Sequence, residues 1–80
     1  MNVTMSDDQF AGAVVRQARE RAGMTLSELS AKVGMPYSAV SLLERGGRKW
    51  TIPHIKTISR ALGLDPMTLL GEGESSTAAA

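Results

Sequence analysis

Three basic residues and the single tryptophan lie close together in one short polar segment. They are Arg45, Arg48, Lys49 and Trp50, with two glycines after Arg45. Lysine and arginine neutralise phosphate groups and release their counterions, and an indole N–H can donate a hydrogen bond to a phosphate. The chemistry that this segment predicts is the binding of a polyanion. An ordinary solvated loop is the alternative interpretation, in which the Trp50 ring covers the edge of the core.

Residues suited to catalysis or metal binding are few and do not cluster. The chain has no cysteine and one histidine, His54, which is expected to cap or decorate a helix. The serines at core-like and exposed positions have no neighbouring base to activate them as nucleophiles; they are Ser30, Ser38, Ser41 and Ser59. We therefore expect no enzymatic activity, no metal and no cofactor.

Length and charge limit the class of protein. Eighty residues suffice for one small domain, and no apolar run approaches the ~20 residues that span a bilayer, so we expect a cytoplasmic protein. The formal net charge is +1, but residues 9–71 carry nine Lys and Arg against four acids, a net +5. This excess suits a polyanionic partner, although solvated helix faces are often basic too.

The central segment, residues 25–46, predicts two short helices joined by a tight turn. Thr25 can cap the first helix, with Glu28 three residues later as a capping box requires. Gly34 can end that helix at positive φ, and Pro36 can open a second one over residues 36–45. A helix, a glycine turn and a second helix at this spacing are typical of a helix-turn-helix.

Three further helices are predicted around this pair. The first starts at Ser6 or Asp7 and runs to about Ala22, and the last opens at Asp65. The fourth is capped by Thr51 and ends at Gly63; its predicted inner face comprises Ile52, Ile55, Ile58, Ser59 and Leu62. The predicted fold is all-α with five short helices. Residues 1–8 are expected to form a flexible arm, 9–71 the domain and 72–80 a disordered tail.

The ordered set of these segments resembles the Cro/repressor-type (XRE-like) helix-turn-helix DNA-binding family. The residues that carry the resemblance are Arg19 and Gly23 in RERAGMT, then LSELSAKVGM, SAVSLLERG and ISRALGLDPMTLL. Together they span most of the chain. The resemblance implies a lambda-repressor-like domain, and a DNA-binding transcriptional regulator, most simply a repressor.

The resemblance also implies which residues meet the bases. In the family the second central helix enters the major groove, and the matching exposed positions here are Pro36, Tyr37, Ser38, Ser41 and Leu42. Residues 36–43 contain no Arg, Gln or Asn. This departs from the family pattern, because the side chains that form bidentate pairs with bases are missing.

Other roles follow from the same resemblance. The residues expected at phosphates are Thr25, Leu26 through its backbone N–H, Ser27, Arg45, Arg48, Lys49 and Trp50. Arg19 and Glu44 match a structural salt bridge between the first helix and the recognition helix. A homodimer on a pseudo-palindromic site is expected, with contacts from Leu64, Pro66, Met67 and Leu70.

A second function stays open from the residues alone. The apolar recognition face also suits a protein-interaction module, such as an antitoxin or an adaptor, that grips a protein partner with the same helix-turn-helix. The net charge of residues 9–71 and the basic loop favour double-stranded DNA as the partner.

Overall fold

The computed structural model describes residues 5–71, which form five helices and no strand. The helices are α1 (Asp7–Arg21), α2 (Leu26–Val33), α3 (Tyr37–Arg45), α4 (Ile52–Leu62) and α5 (Pro66–Leu70). The predicted all-α, five-helix fold is confirmed. None of the helices in this part of the chain is long and apolar enough to cross a membrane.

The start of α1 corrects the predicted arm. Ser6 is the N-cap: its hydroxyl accepts from the Gln9 backbone N–H at 3.1 Å, and the Gln9 side chain accepts from the Ser6 N–H at 3.0 Å. Asp7 and Asp8 therefore belong to the first helical turn, where carboxylates are favoured by the helix dipole. The predicted domain boundary at residue 9 is too late. Residues 1–4 and the predicted tail, 72–80, lie outside the described residues.

The turn between α2 and α3 follows the sequence closely. Thr25 and Glu28 form the predicted capping box, and Gly34 ends α2 at φ +70°, a conformation that glycine adopts without steric cost. Pro36 lies outside the helix predicted for residues 36–45. It is the N-cap of α3, with an extended ψ of 145°, so the helix starts at Tyr37.

The core is one cluster to which every helix contributes. Its buried members are Ala11, Val15, Leu29, Val40, Leu43, Trp50, Ile55, Ile58 and Leu69. Helix α1 packs against α3, α4 and α5, while α2 packs against α3 and α4. Ile52 corrects the inner face predicted for α4, because it is 58% exposed.

Helices α1 and α3 touch backbone to backbone at Gly12. A Cβ at this position would lie 2.4 Å from the carbonyl oxygens of both Leu43 and Glu44. Only glycine permits that separation, so Gly12 sets how closely the recognition helix is held to the rest of the domain.

Candidate nucleic-acid interface

Helix α3 has one buried side and one outward side. Ala39, Val40, Leu43 and Glu44 are buried. At about 100° per residue, the remaining five helical positions fall on one continuous arc of about 140°. That outward arc comprises Tyr37, Ser41, Arg45, Ser38 and Leu42.

Four of the five expected base-contacting residues lie on this arc, and the fifth, Pro36, is the N-cap directly before it. Tyr37 is 56% exposed and Leu42 38% exposed. Pro36 and Ser38 are exposed as well, and Ser41 is half-buried. These five residues are uncharged and place hydroxyl groups between apolar groups, while Arg45 adds one positive charge to the arc.

A salt bridge fixes the edge of the buried side of α3 that lies next to Tyr37. The guanidinium of Arg19 donates from Nε to Glu44 Oε2 at 2.7 Å and from Nη2 to Oε1 at 3.0 Å. Its Nη1 donates to the Met24 carbonyl at 2.9 Å, so one side chain ties together α1, the turn before α2, and α3. The hydrogen bonds with Glu44 raise the pKa of Arg19 above its ordinary value, by more than burial lowers it.

The start of α2 presents hydrogen-bond donors beside this helix. Leu26 and Ser27 lie in the first turn, where backbone N–H groups have no carbonyl four residues earlier in the helix to bind. Thr25 and Ser27 are exposed, whereas the Leu26 side chain is half-buried against the core. The arrangement suits an anion, because helix N-termini carry partial positive charge.

The loop after α3 carries the exposed basic residues. Gly46 ends the helix at φ +75°, and the Gly47 N–H donates to the Leu42 carbonyl at 2.9 Å. Arg45, Arg48 and Lys49 are all exposed. The loop therefore offers three cations at the C-terminal end of α3.

Trp50 corrects the expectation that its indole meets a phosphate. The residue is only 8% exposed, and its Nε1–H donates to the Leu43 carbonyl at 2.9 Å. Its backbone N–H donates to Asp8 Oδ1 at 2.8 Å. Of the two roles that the sequence left open, the structure assigns Trp50 to the core edge, with its donors occupied.

A second surface, here called the α4–α5 groove, is lined by none of the residues of the outward arc of α3. It is an open groove of about 810 Å³ bounded by the start of α1, residues 49–52, and α5. Ala11, Trp50, Ile55 and Leu69 are its buried residues. Exposed Ile52 and Leu70 stand at its edge, together with Asp7, Asp8 and Lys49.

The four residues expected at a dimer contact are placed differently from one another. Met67 and Leu70 are 46% and 45% exposed, and Pro66 is exposed. Leu64 is half-buried and packs against the core. Exposed Ile52 lines the same groove as Leu70. The sequence did not predict this, because the spacing of Ile52 matches that of the buried isoleucines of α4.

Ser30 and His54 form hydrogen bonds within their own helices or helix caps, and Ser59 is buried in the core. The Ser30 hydroxyl donates to the Leu26 carbonyl at 2.8 Å, and His54 Nδ1 accepts from the Thr51 N–H at 3.4 Å in the cap of α4. Ser59 is fully buried, and its hydroxyl has no hydrogen-bond partner within the described part of the chain. Residues 5–71 contain no cluster of three or more potential metal ligands.

Comparisons with known proteins agree on this architecture. A helix-turn-helix family model matches residues 15–69. The restriction-modification controller protein C.AhdI from Aeromonas hydrophila is 28% identical, with a TM-score of 0.73 over 79% of this chain and 96% of that one. The clp gene regulator ClgR from C. glutamicum is 28% identical, with a TM-score of 0.78 over 89% and 92%.

A third similar structure contains DNA. SinR, the master regulator for biofilm formation, solved in complex with DNA, is 33% identical, with a TM-score of 0.70 over 75% of this chain and 97% of that one. The comparison with curated protein sequences returned no significant match.

Proposed function

Because the chain belongs to the XRE-type helix-turn-helix family, we propose that it is a DNA-binding transcriptional regulator that places α3 in the major groove. The observation that carries the proposal is the division of α3 into two sides. Arg19 and the core hold one side, while the other presents four uncharged residues that are exposed or half-buried, with Arg45 at its C-terminal end. A helix held in this way can enter a groove as wide as the major groove of B-DNA.

The proposed contacts fall into two kinds. Base edges meet Pro36, Tyr37, Ser38, Ser41 and Leu42. Phosphates meet the start of α2 and the basic loop, through Thr25, the Leu26 N–H, Ser27, Arg45, Arg48 and Lys49. Phosphate contacts set affinity and position, and base contacts set sequence preference.

The proposed binding unit is a two-fold dimer on a pseudo-palindromic site. The α4–α5 groove supports this proposal, because it combines exposed Ile52 and Leu70 with acidic Asp7 and basic Lys49. A two-fold axis brings the same patch of each copy together, and a patch with both charges and an apolar centre is complementary to itself. Pro66 and Met67 extend the contact along α5.

The proposed role has two further consequences. A bound dimer represses transcription simply by occupying promoter DNA, with residues 7–71 as the unit that binds. The protein would act in the cytoplasm, with the DNA that it binds.

Binding of the full chain to random duplex DNA at two salt concentrations tests the proposal. Six Lys or Arg contacts per dimer predict an affinity loss of about a thousandfold between about 50 and 200 mM salt. Absence of binding at the lower concentration contradicts the proposal and favours a protein partner.

The double variant Arg48→Ala, Lys49→Ala separates the two kinds of contact. We expect it to weaken binding to all duplexes alike and to reduce the salt dependence by about two phosphate contacts per protomer. Lys56→Ala with Arg60→Ala, which removes the same charge from exposed positions of α4, is the matched control. Equal losses from both double variants would mean that net charge, and not the loop, binds the phosphates.

A further inference from the structure

Residues 37–42 of the outward arc offer apolar groups at positions where base-reading helices usually offer forked polar ones. Within residues 37–42 the exposed large side chains are Tyr37 and Leu42, and the other outward groups are two serine hydroxyls. Arg45, at the C-terminal end of the arc, is one of the residues proposed to meet a phosphate. Guanine and adenine are read most sharply by bidentate partners such as Arg, Asn or Gln. Residues 36–43 provide none of these.

The loop after α3 packs against one side of Leu42 and leaves its other side exposed to solvent. The Gly47 N–H bonds to the Leu42 carbonyl at 2.9 Å, and a Cβ at Gly47 would lie 3.2 Å from Leu42 Cδ2. The glycine loop therefore packs against one side of the leucine. The other side keeps 38% of the residue exposed, so Leu42 is a partly ordered apolar group facing outward.

The major groove contains one apolar group that such a side chain can meet. Among the four base pairs, only those with thymine present a methyl group there, on C5. Burying that methyl against Leu42 or the Tyr37 ring removes apolar surface from water on both molecules. A serine hydroxyl can both donate and accept, so Ser38 and Ser41 discriminate less between bases.

We propose that this protein recognises its DNA site through thymine C5-methyl groups, read chiefly by Leu42 and Tyr37. The proposal rests on the proposed function, since it concerns what α3 reads once it lies in the groove. It predicts half-sites rich in thymine at the positions that face α3, and a modest preference over random DNA.

Deoxyuridine tests the proposal directly, because it differs from thymidine only in lacking the methyl group. Duplexes recovered with the full chain from a random pool are resynthesised with dU in place of each dT of the half-site in turn. We expect affinity to fall about fourfold for each methyl group that is read, the value for burying one CH₂-sized group. Duplexes with dU outside the half-site should bind unchanged.

Variants of Leu42 connect the methyl group to its reader. At the thymine that Leu42 reads, Leu42→Ala should bind the dT and dU duplexes almost equally, because the larger apolar partner has gone, whereas Leu42→Met should keep the difference. At a thymine that Tyr37 reads, the difference should remain in Leu42→Ala and shrink in Tyr37→Ala. Arg48→Ala should weaken binding to both duplexes by the same factor. Circular dichroism of each variant verifies that it is folded.

Three results would overturn the inference. The first is equal binding of dT and dU duplexes by the unaltered protein. The second is a selected site whose preference depends on guanine and disappears in Arg45→Ala. The third is salt-dependent binding with no sequence preference, which leaves the regulator's DNA binding intact and removes only the methyl readout. Failure to bind any duplex at low salt would instead contradict the proposed function itself.

Discussion

Trp50 connects distant parts of the fold through two hydrogen bonds. Its backbone N–H binds Asp8 in the first turn of α1, and its indole N–H binds the Leu43 carbonyl near the end of α3. Both bonds hold the loop that carries Arg48 and Lys49 against the core. Trp50 therefore supports the proposed phosphate contacts indirectly, because it positions the loop that carries Arg48 and Lys49.

The Arg19–Glu44 pair should be the most costly ion pair to break. Its side chains are 12% and 5% exposed, so Arg19→Ala leaves a carboxylate buried without its partner. We expect the free energy of unfolding to fall by about 3 kcal/mol, measured by chemical denaturation. Because Arg19 stays protonated at all ordinary pH values and its pKa is raised, its ionisation adds no pH dependence to stability near neutrality.

The control for that change is an exposed ion pair on α1. Arg16 and Glu20 lie 3.3 Å apart, with side chains 64% and 54% exposed. Arg16→Ala should cost at most about 0.5 kcal/mol, since solvent screens the pair. If the two arginine variants were equally stable, Arg19 would not be the connection between α1 and α3.

At Ser59, in contrast, removing a polar group should increase the free energy of unfolding. Its hydroxyl is buried without a partner in the described part of the chain, so Ser59→Ala should raise the free energy of unfolding by about 1 kcal/mol. Ser30→Ala is the matched control, because it removes a buried hydroxyl that does donate, to Leu26. Thermal unfolding of both variants decides the sign, and a loss in Ser59→Ala would reveal a partner for that hydroxyl.

At the scale of the elements, the crossing of α1 over α3 controls where the recognition helix lies. The crossing depends on the absence of a side chain at Gly12, next to the carbonyls of Leu43 and Glu44. The Arg19–Glu44 bridge then fixes the same two helices farther along α1. A shift of this crossing would move the whole outward arc relative to the start of α2.

Gly12→Ala should therefore destabilise the protein although alanine is the better helix former. Helix propensity alone favours alanine by about 1 kcal/mol, but the new Cβ meets backbone that cannot move aside cheaply. We expect a net loss of about 3 kcal/mol in the free energy of unfolding and weaker DNA binding. A more stable Gly12→Ala variant would contradict the close approach of α1 and α3.

Gly34→Ala is the comparison for Gly12→Ala. Gly34 has φ +70°, and a Cβ added there would meet no atom within 4 Å outside its own chain neighbours. Alanine at this position costs only the left-handed backbone conformation, about 1 kcal/mol. The difference in the free energy of unfolding between the two variants separates the cost of the helix–helix clash at Gly12 from the general cost of replacing a glycine.

At the scale of the whole molecule, one surface is proposed to bind DNA and another to bind a second copy of the chain. The outward arc of α3 and the basic loop form the proposed DNA surface, and the α4–α5 groove forms the proposed surface for a second copy. The groove includes none of residues 36–42. The groove shares Lys49 with the basic loop, so changes at Ile52 and Leu70 alter the proposed dimer contact without removing a proposed DNA contact.

Ile52→Glu with Leu70→Glu should produce a folded monomer. Both side chains are about half exposed in the monomer, so the change costs little stability, while it places like charges across a two-fold contact. Sedimentation should show loss of the dimer, and affinity for a two-half-site duplex should fall sharply. Thr57→Glu, at an exposed position of α4, should leave the dimer intact; a dimer that survives the double change would place the contact elsewhere.

By itself the sequence determined the five helices and most of their caps, although it placed Pro36 inside α3. Capping boxes, C-terminal glycines and the spacing of apolar residues each involve residues only a few positions apart. They can therefore be identified from the sequence alone. Only the tertiary structure decided that Trp50 is a core residue, that Ile52 is exposed and that Gly12 marks a helix crossing. Each of these depends on what a distant segment places beside the residue, such as Asp8 opposite Trp50, and periodicity along the chain contains no information about that neighbour.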